Sequence, residues 1–172
     1  RRFFRKKVTP KVIELQDFGS ELFADIKNVG SLLIIDDDAE EFDEGVFGAS
    51  SPEYELQKEM LASRYHVCVT NPPYMGSKGM NKALKAFVAK HYPDAKADLF
   101  AAFIERCLEF TEKEGYTAMI TQHSWMFLSS YEKLRVKLLK NHRIDTLVHL
   151  GPRAFEEIGG EVVQSVAFVL QK

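Results

Sequence analysis

At 172 residues, 45% hydrophobic and 28% charged, the chain has the length and make-up of one compact globular domain. A formal net charge of -2 excludes a uniformly basic surface, so any grip on nucleic acid must be local. No apolar run approaches membrane-spanning length, and the opening "RRFFRKK" lacks the apolar stretch of a signal peptide, which predicts a cytoplasmic location and no membrane partner.

The chain opens on Arg1 and its first methionine is Met60, so a piece of a longer polypeptide is expected. Thr9 and Pro10 form a cap and first-turn pair, and Leu15, Phe18, Leu22, Ile26 and Val29 follow at helical spacing. "SLLII" reads as a short buried strand or a helix end. It runs into "DDDAEEFDEGVFGASS", an acidic loop whose Asp36, Asp37 and Asp38 lack the spaced ligands and turn glycine of a calcium site. Ser51 and Pro52 start a second helix through Leu56, Met60 and Leu61.

"YHVCVT" is a short apolar strand that ends at Asn71. "NKALKAFVAKHY" is helical, with Leu84, Phe87, Val88 and His91 on one face. Asp98 then caps "LFAAFIERCLEF", where Leu99, Ala102, Phe103, Cys107 and Phe110 form an apolar stripe. "GYTAMIT" is the next strand, 131–141 a helix, "IDTLVHL" a third strand, and "VVQSVAFVL" a fourth after a Gly159-Gly160 turn. Cys68 and Cys107 sit in apolar patterns without metal-ligand spacing and read as reduced core residues.

Strands alternating with helices predict an α/β fold with a largely parallel sheet. About a dozen residues join the last two strands, too few for a helical crossover, so that pair is expected to be antiparallel. Ligands of such sheets bind beyond the carboxyl ends of the strands, and "NPPY", "QHSWMF" and "GPRAF" all fall there.

"NPPY" carries the most chemistry. Each proline restricts the residue before it to extended backbone and fixes its own φ, so Asn71, Pro72 and Pro73 form a stiff hook with no N–H on either ring. The Asn71 side-chain oxygen and the Pro72 carbonyl are two acceptors that can converge on one NH2 group, with the flat face of Tyr74 alongside. Holding both hydrogens of an exocyclic amine favours a pyramidal nitrogen whose lone pair is free to attack an activated methyl group, so alignment does most of the work. The plainer alternative is a strand terminator with Asn71 capping the turn.

With "DLFAAFIERCLEF", "GYTAMITQHSWMFLSSYEKLR" and "RIDTLVHLGPRAFEEIGGEVVQSVAFVL", this motif resembles the amino-group methyltransferases that use S-adenosylmethionine. Among them it is most similar to the adenine-N6 DNA methyltransferases, in particular those of BREX phage-defence systems; the resemblance spans residues 65–172. It implies a partial Rossmann-like methyltransferase fold with helices on both faces of the sheet, double-stranded DNA as partner of the full-length parent, and other defence proteins as further partners in a bacterium or archaeon.

By that resemblance Asn71 and Pro72 accept hydrogen bonds from the target amine, and Tyr74 stacks on an adenine flipped out of the duplex. Phe155 closes the other face of the base or anchors its loop to the core. Pro73, Asp98 and Phe100 lie near the cofactor's adenosine end, Asp98 having a helix cap as its alternative role. Trp125, in the rim loop with His123 and Ser124, touches substrate or anchors packing; Lys78 and Arg153 contact phosphates or are plain surface charge.

The chain departs from the family pattern in one respect. None of its ten glycines forms the G-x-G loop that holds the methionine end of the cofactor. The expected division is therefore a helical and acidic lead-in, 1–64, followed by the carboxyl-terminal half of a catalytic domain, 65–172, inactive by itself. Enzymes with the same motif that methylate RNA or protein glutamine, and a non-catalytic scaffold or DNA-binding module, are the competing readings.

Overall fold

Pro72 and Pro73 end the first strand because neither ring can donate to a ladder, and the chain must turn outward there. In a computed structural model that describes residues 26–35, 52–151 and 164–172, this turn lies on one rim of a four-stranded sheet. The helix expected before Ile26, the Asp36–Asp38 cluster, Arg153, Phe155 and the Gly159-Gly160 turn lie outside the described residues.

The elements run α1 (Ile26–Val29), a 3-10 turn (Gly30–Leu32), α2 (Pro52–Ala62), β1 (Tyr65–Thr70), α3 (Lys82–His91), α4 (Leu99–Phe110) and β2 (Thr111–Gln122). Two 3-10 turns, α5 (Glu132–Asn141), β3 (Arg143–Gly151) and β4 (Ser165–Gln171) complete them. "SLLII" is thus a 3-10 helix end followed by irregular chain. The sheet order is β1-β2-β4-β3, with β1 parallel to β2 and β4 antiparallel to both of its neighbours. Inserting β4 between β2 and β3 leaves the carboxyl ends of β1, β2 and β3 and the start of β4 on the same rim.

Alternation along the strands divides the sheet into two unlike faces. Thr117, Met119 and Thr121 of β2 and Val166, Phe168 and Leu170 of β4 are buried beside α4 and α5. The other face, which the sequence leads one to expect under helices as well, is bare among the described residues: Val67 is 56% and Val69 71% exposed.

Arg106 joins the lead-in to this core. The side chain is buried on α4, where its Nε donates to Ser31 O at 3.1 Å and its Nη2 to Leu33 O at 2.5 Å and Leu61 O at 3.1 Å. Glu109 pairs with Nη1 at 3.2 Å, and the guanidinium lies 3.9 Å from the Phe110 ring centroid. A planar fork of donors suits this role, since helix ends and irregular chain leave carbonyls without partners. Val29, Leu32, Leu33 and Ile35 share one apolar core with α4 as a result.

β2 begins four residues earlier than its apolar pattern indicates, directly after α4. The pairing with β1 is interrupted there, from Tyr65 opposite Thr111 to Val67 opposite Tyr116, and Glu114 takes a left-handed φ of 66°. A Cβ at Gly115 would meet the His66 carbonyl oxygen at 2.7 Å and Thr111 Cγ2 at 2.9 Å. Two backbones crowd at this point, so Gly115→Ala is expected to destabilise the protein by about 1–3 kcal/mol, read as a lowered thermal midpoint.

Candidate active site

The hook leaves β1 with its rings in different surroundings. Pro72 is buried and anchors the turn, whereas Asn71 and Pro73 are exposed and Tyr74 is half-buried. Among the described residues no hydrogen bond engages the Asn71 amide or the Pro72 carbonyl. Both acceptors are therefore unspent.

The chain after the hook is held to the start of α4. Asp98 Oδ1 accepts from Met75 N at 2.9 Å and from Phe100 N at 3.3 Å, so one oxygen caps the helix and grips the loop. Leu99 N donates to Met75 O at 3.0 Å and Ser77 N to Ala97 O at 2.9 Å, which completes a two-sided clasp. Burial raises the Asp98 pKa, and the N–H donors of Met75, Phe100 and Leu99 offset part of that rise. Further on, Asn81 caps α3 through Leu84 N at 2.8 Å and reaches Asn28 on α1 at 3.1 Å. Lys78 stands exposed in the loop between these two clasps.

Phe100 is fully buried, with the Tyr74 ring edge-on to it at 6.1 Å and Tyr131 at 5.8 Å. Burial and the nearby Asp98 push the Tyr131 phenol up to about 12. Trp125 is likewise internal: it is 4% exposed, donates from Nε1 to Thr121 Oγ1 at 3.1 Å and packs on Phe168. Of the nine residues singled out for the site, the structure brings Tyr74, Asp98 and Phe100 into one contact network, with Pro72 buried and Asn71 and Pro73 exposed. Trp125 sits below the neighbouring strand ends, and Phe155 lies outside the described residues.

Three features of the rim have no simple sequence signal. His123 Nδ1 and His149 Nε2 are 2.9 Å apart with their rings stacked at 5.1 Å, and burial together with His149 lowers the His123 pKa, since that contact needs one neutral ring. Ser165 is buried at the start of β4, opposite both Gln122 and Gly151. An apolar groove of about 360 Å³ runs from Asn71 along the bare sheet face over Val69, Ala118, Ile120, Val148 and Val169. The alternating small and β-branched residues of the strands contain the groove; the partners of His149 and Ser165 are set by register.

A family model described as Eco57I restriction-modification methylase matches residues 8–155. The chain belongs to that family. Over 112 residues the chain is 58% identical to the adenine-specific methyltransferase PglX of Lacticaseibacillus casei strain Zhang, covering 65% of this chain and 9% of that protein. The adenine-specific methyltransferase BrxX of Escherichia coli O9:H4 strain HS is 51% identical over 118 residues, covering 69% and 10%. The chain thus spans about a tenth of the length of these curated relatives.

Solved structures show the same fold at low identity. A class I S-adenosylmethionine-dependent methyltransferase of Listeria monocytogenes matches with a TM-score of 0.51 at 15% identity, over 65% of this chain and 33% of that one. DrdV in complex with DNA matches with a TM-score of 0.54 at 16% identity, over 71% and 15%. The α/β methyltransferase fold with its antiparallel last strand therefore holds for this family member. No described helix is long and apolar enough to cross a membrane.

The Asp98 clasp can be tested separately from chemistry. Asp98→Ala, which loses the cap and the grip on Met75, is expected to cost about 1–2 kcal/mol in denaturant unfolding. Asp98→Asn keeps an oxygen for the same N–H groups and removes a half-buried charge, so it is expected to retain most of that stability.

Proposed function

We propose that residues 65–172 are the carboxyl-terminal half of the catalytic domain of an adenine-N6 DNA methyltransferase that acts in phage defence or restriction-modification. The observation that carries this reading is the pair of unspent acceptors, Asn71 and the Pro72 carbonyl, on a hook whose Pro72 ring is buried and whose following loop is clasped to α4. A rigid pair of acceptors suits an NH2 group, and the adenine N6 amine offers two hydrogens from one nitrogen. The relatives named PglX and BrxX are adenine-specific methyltransferases, which favours adenine over RNA guanine or protein glutamine.

The bare sheet face supports the division at residue 65. Strands of parallel sheets are ordinarily covered on both faces, yet Val67, Val69 and Val148 are exposed and the outer edge of β1 has no partner strand among the described residues. Such a surface is what one half of a larger α/β domain presents to the other half.

The residues present offer the methyl donor only part of a site. Pro73 is exposed at the rim, but the Asp98 oxygen is committed to backbone N–H groups, Phe100 is fully buried, and no G-x-G loop is present. S-adenosylmethionine, bound chiefly by the remainder of the parent domain, would supply an activated methyl group. This chain's contribution is to hold the amine: Asn71 and Pro72 take its hydrogens and Tyr74 offers a face for the base, worth roughly 1–3 kcal/mol by stacking. The family resemblance supports Lys78 and Arg153 as candidate phosphate contacts and Phe155 as the candidate for the second face of the base. DNA and other defence proteins are the partners proposed for the parent, in a bacterial or archaeal cytoplasm.

The test is methyl transfer by the full-length parent to duplex DNA, with the product nucleoside identified. N6-methyladenine is expected, and Asn71→Ala is expected to lower the rate at least about 100-fold, because one of two acceptors is lost at the reacting nitrogen. A methylated glutamine or RNA guanine as the product would overturn the assignment.

A further inference from the structure

Two imidazoles meet on the rim at the ends of β2 and β3. His123 Nδ1 and His149 Nε2 lie 2.9 Å apart, a distance that requires one nitrogen to carry a hydrogen and the other a lone pair. The His123 backbone N–H donates to Gln164 O at 2.9 Å, and the ring stands between His149, stacked at 5.1 Å, and Phe127, edge-on at 5.3 Å. Phe127 is held in turn: its N–H donates to Ser124 O, and Arg135 Nη1 donates to the carbonyls of Trp125 and Leu128. The contact is thus fixed by its surroundings. The outward nitrogens, His123 Nε2 and His149 Nδ1, have no partner among the described residues.

The proton count of the pair decides what it can bind. A neutral pair holds two ring hydrogens, one spanning the contact and one pointing outward. One further proton from solvent leaves the contact intact, makes both outward nitrogens N–H donors and gives the pair a single positive charge. Two donors and one positive charge on adjoining rings suit a phosphodiester, which offers two oxygens and one negative charge. Among the described residues no carboxylate lies within ion-pair distance of either ring; His66, which pairs with Glu112, is at the opposite end of the sheet. Of the charges on the elements packed here, Arg135 of α5 is committed to its two carbonyls and Asp145 of β3 to Arg143, while β4 meets the pair with the uncharged Ser165 and Val166.

We propose that His123 and His149 act as one proton-linked contact to a DNA phosphate beside the hook. The inference rests on the reading of duplex DNA as the substrate of the parent. β2 runs on from Met119, the partner of Thr70, to Gln122, so His123 stands past the level at which β1 ends and one strand away from it, about 4.8 Å across the sheet. A base drawn out to the hook brings its neighbouring phosphates to this rim, since they recur about every 3.4 Å along each strand of the duplex. Burial and His149 together disfavour a charged His123 in the free protein, so a bound phosphate draws the proton in. The contact therefore strengthens as pH falls and is lost as pH rises.

The experiment uses the full-length parent and a fluorescent duplex at fixed salt with EDTA present, comparing wild type, His149→Ala and the variant that carries both His123→Ala and His149→Ala. The double variant is expected to bind about 10-fold more weakly than wild type near pH 6 and within about two-fold of it near pH 8. Its salt slope should be lower by about one at the acid pH alone. Calorimetry in two buffers of different ionisation enthalpy should show wild type taking up protons on binding that the double variant does not.

Equal proton uptake by the two proteins, or a loss of affinity that is the same at both pH values, would overturn the contact. If the double variant does not fold, His149→Ala, at an exposed strand position, decides by itself: a pH dependence unchanged from wild type overturns the pair. A parent that shows the proton-linked binding yet methylates no adenine keeps the phosphate contact and removes the functional reading. A folded parent that binds no duplex removes both.

Discussion

A single carboxylate oxygen on Asp98 joins the part of this chain that is scaffold to the part that is chemistry. It caps α4, the helix that covers the sheet, and the same oxygen holds Met75, one residue beyond the Asn-Pro-Pro-Tyr hook. With the backbone bonds from Leu99 to Met75 and from Ser77 to Ala97, that grip gives the stiffness of two prolines something to bear against. The cost of half-burying the carboxylate is met by the N–H donors around it, which helix starts and tight turns leave available.

From this clasp the division of labour across the rim follows. Asn71 is exposed and Pro72 buried, with no described partner on the acceptors of either, while the aromatic chain Tyr74, Phe100 and Tyr131 ties the turn to the helix layer. Among the described residues the opposite side of the sheet is apolar and uncovered, and the groove along it begins at Asn71. Hook and bare face are therefore complementary facts. In the proposed reading the hook presents a flat amine, and the face beside it is where the remaining half of the domain would bring the reagent.

Much of this is local and can be read one residue at a time. Proline's fixed φ ends β1, Pro52 opens α2, and Asp98 and Asn81 cap α4 and α3, since each effect acts within a turn of the chain. The short link between the last strands dictated their antiparallel pairing, and the structure has it. Glu105 and Arg106 show where local reading stops. Both charges are buried, Arg106 because carbonyls of Ser31, Leu33 and Leu61 converge on it, and Glu105 because Lys137 of α5 pairs with it, and neither set of partners can be read from the helix itself.

The sequence by itself determined the fold class, the end of β1, the helix caps and the identity of the hook, because each depends on backbone restrictions and hydrogen bonds a few residues in span. Only the tertiary structure decided what the side chains of those elements touch. It placed Trp125 in the interior, committed Asp98 to the loop behind the hook, and set His123 on His149. Those contacts depend on which strand lies beside which, and inserting β4 between β2 and β3 is a choice made by the packing of the whole sheet.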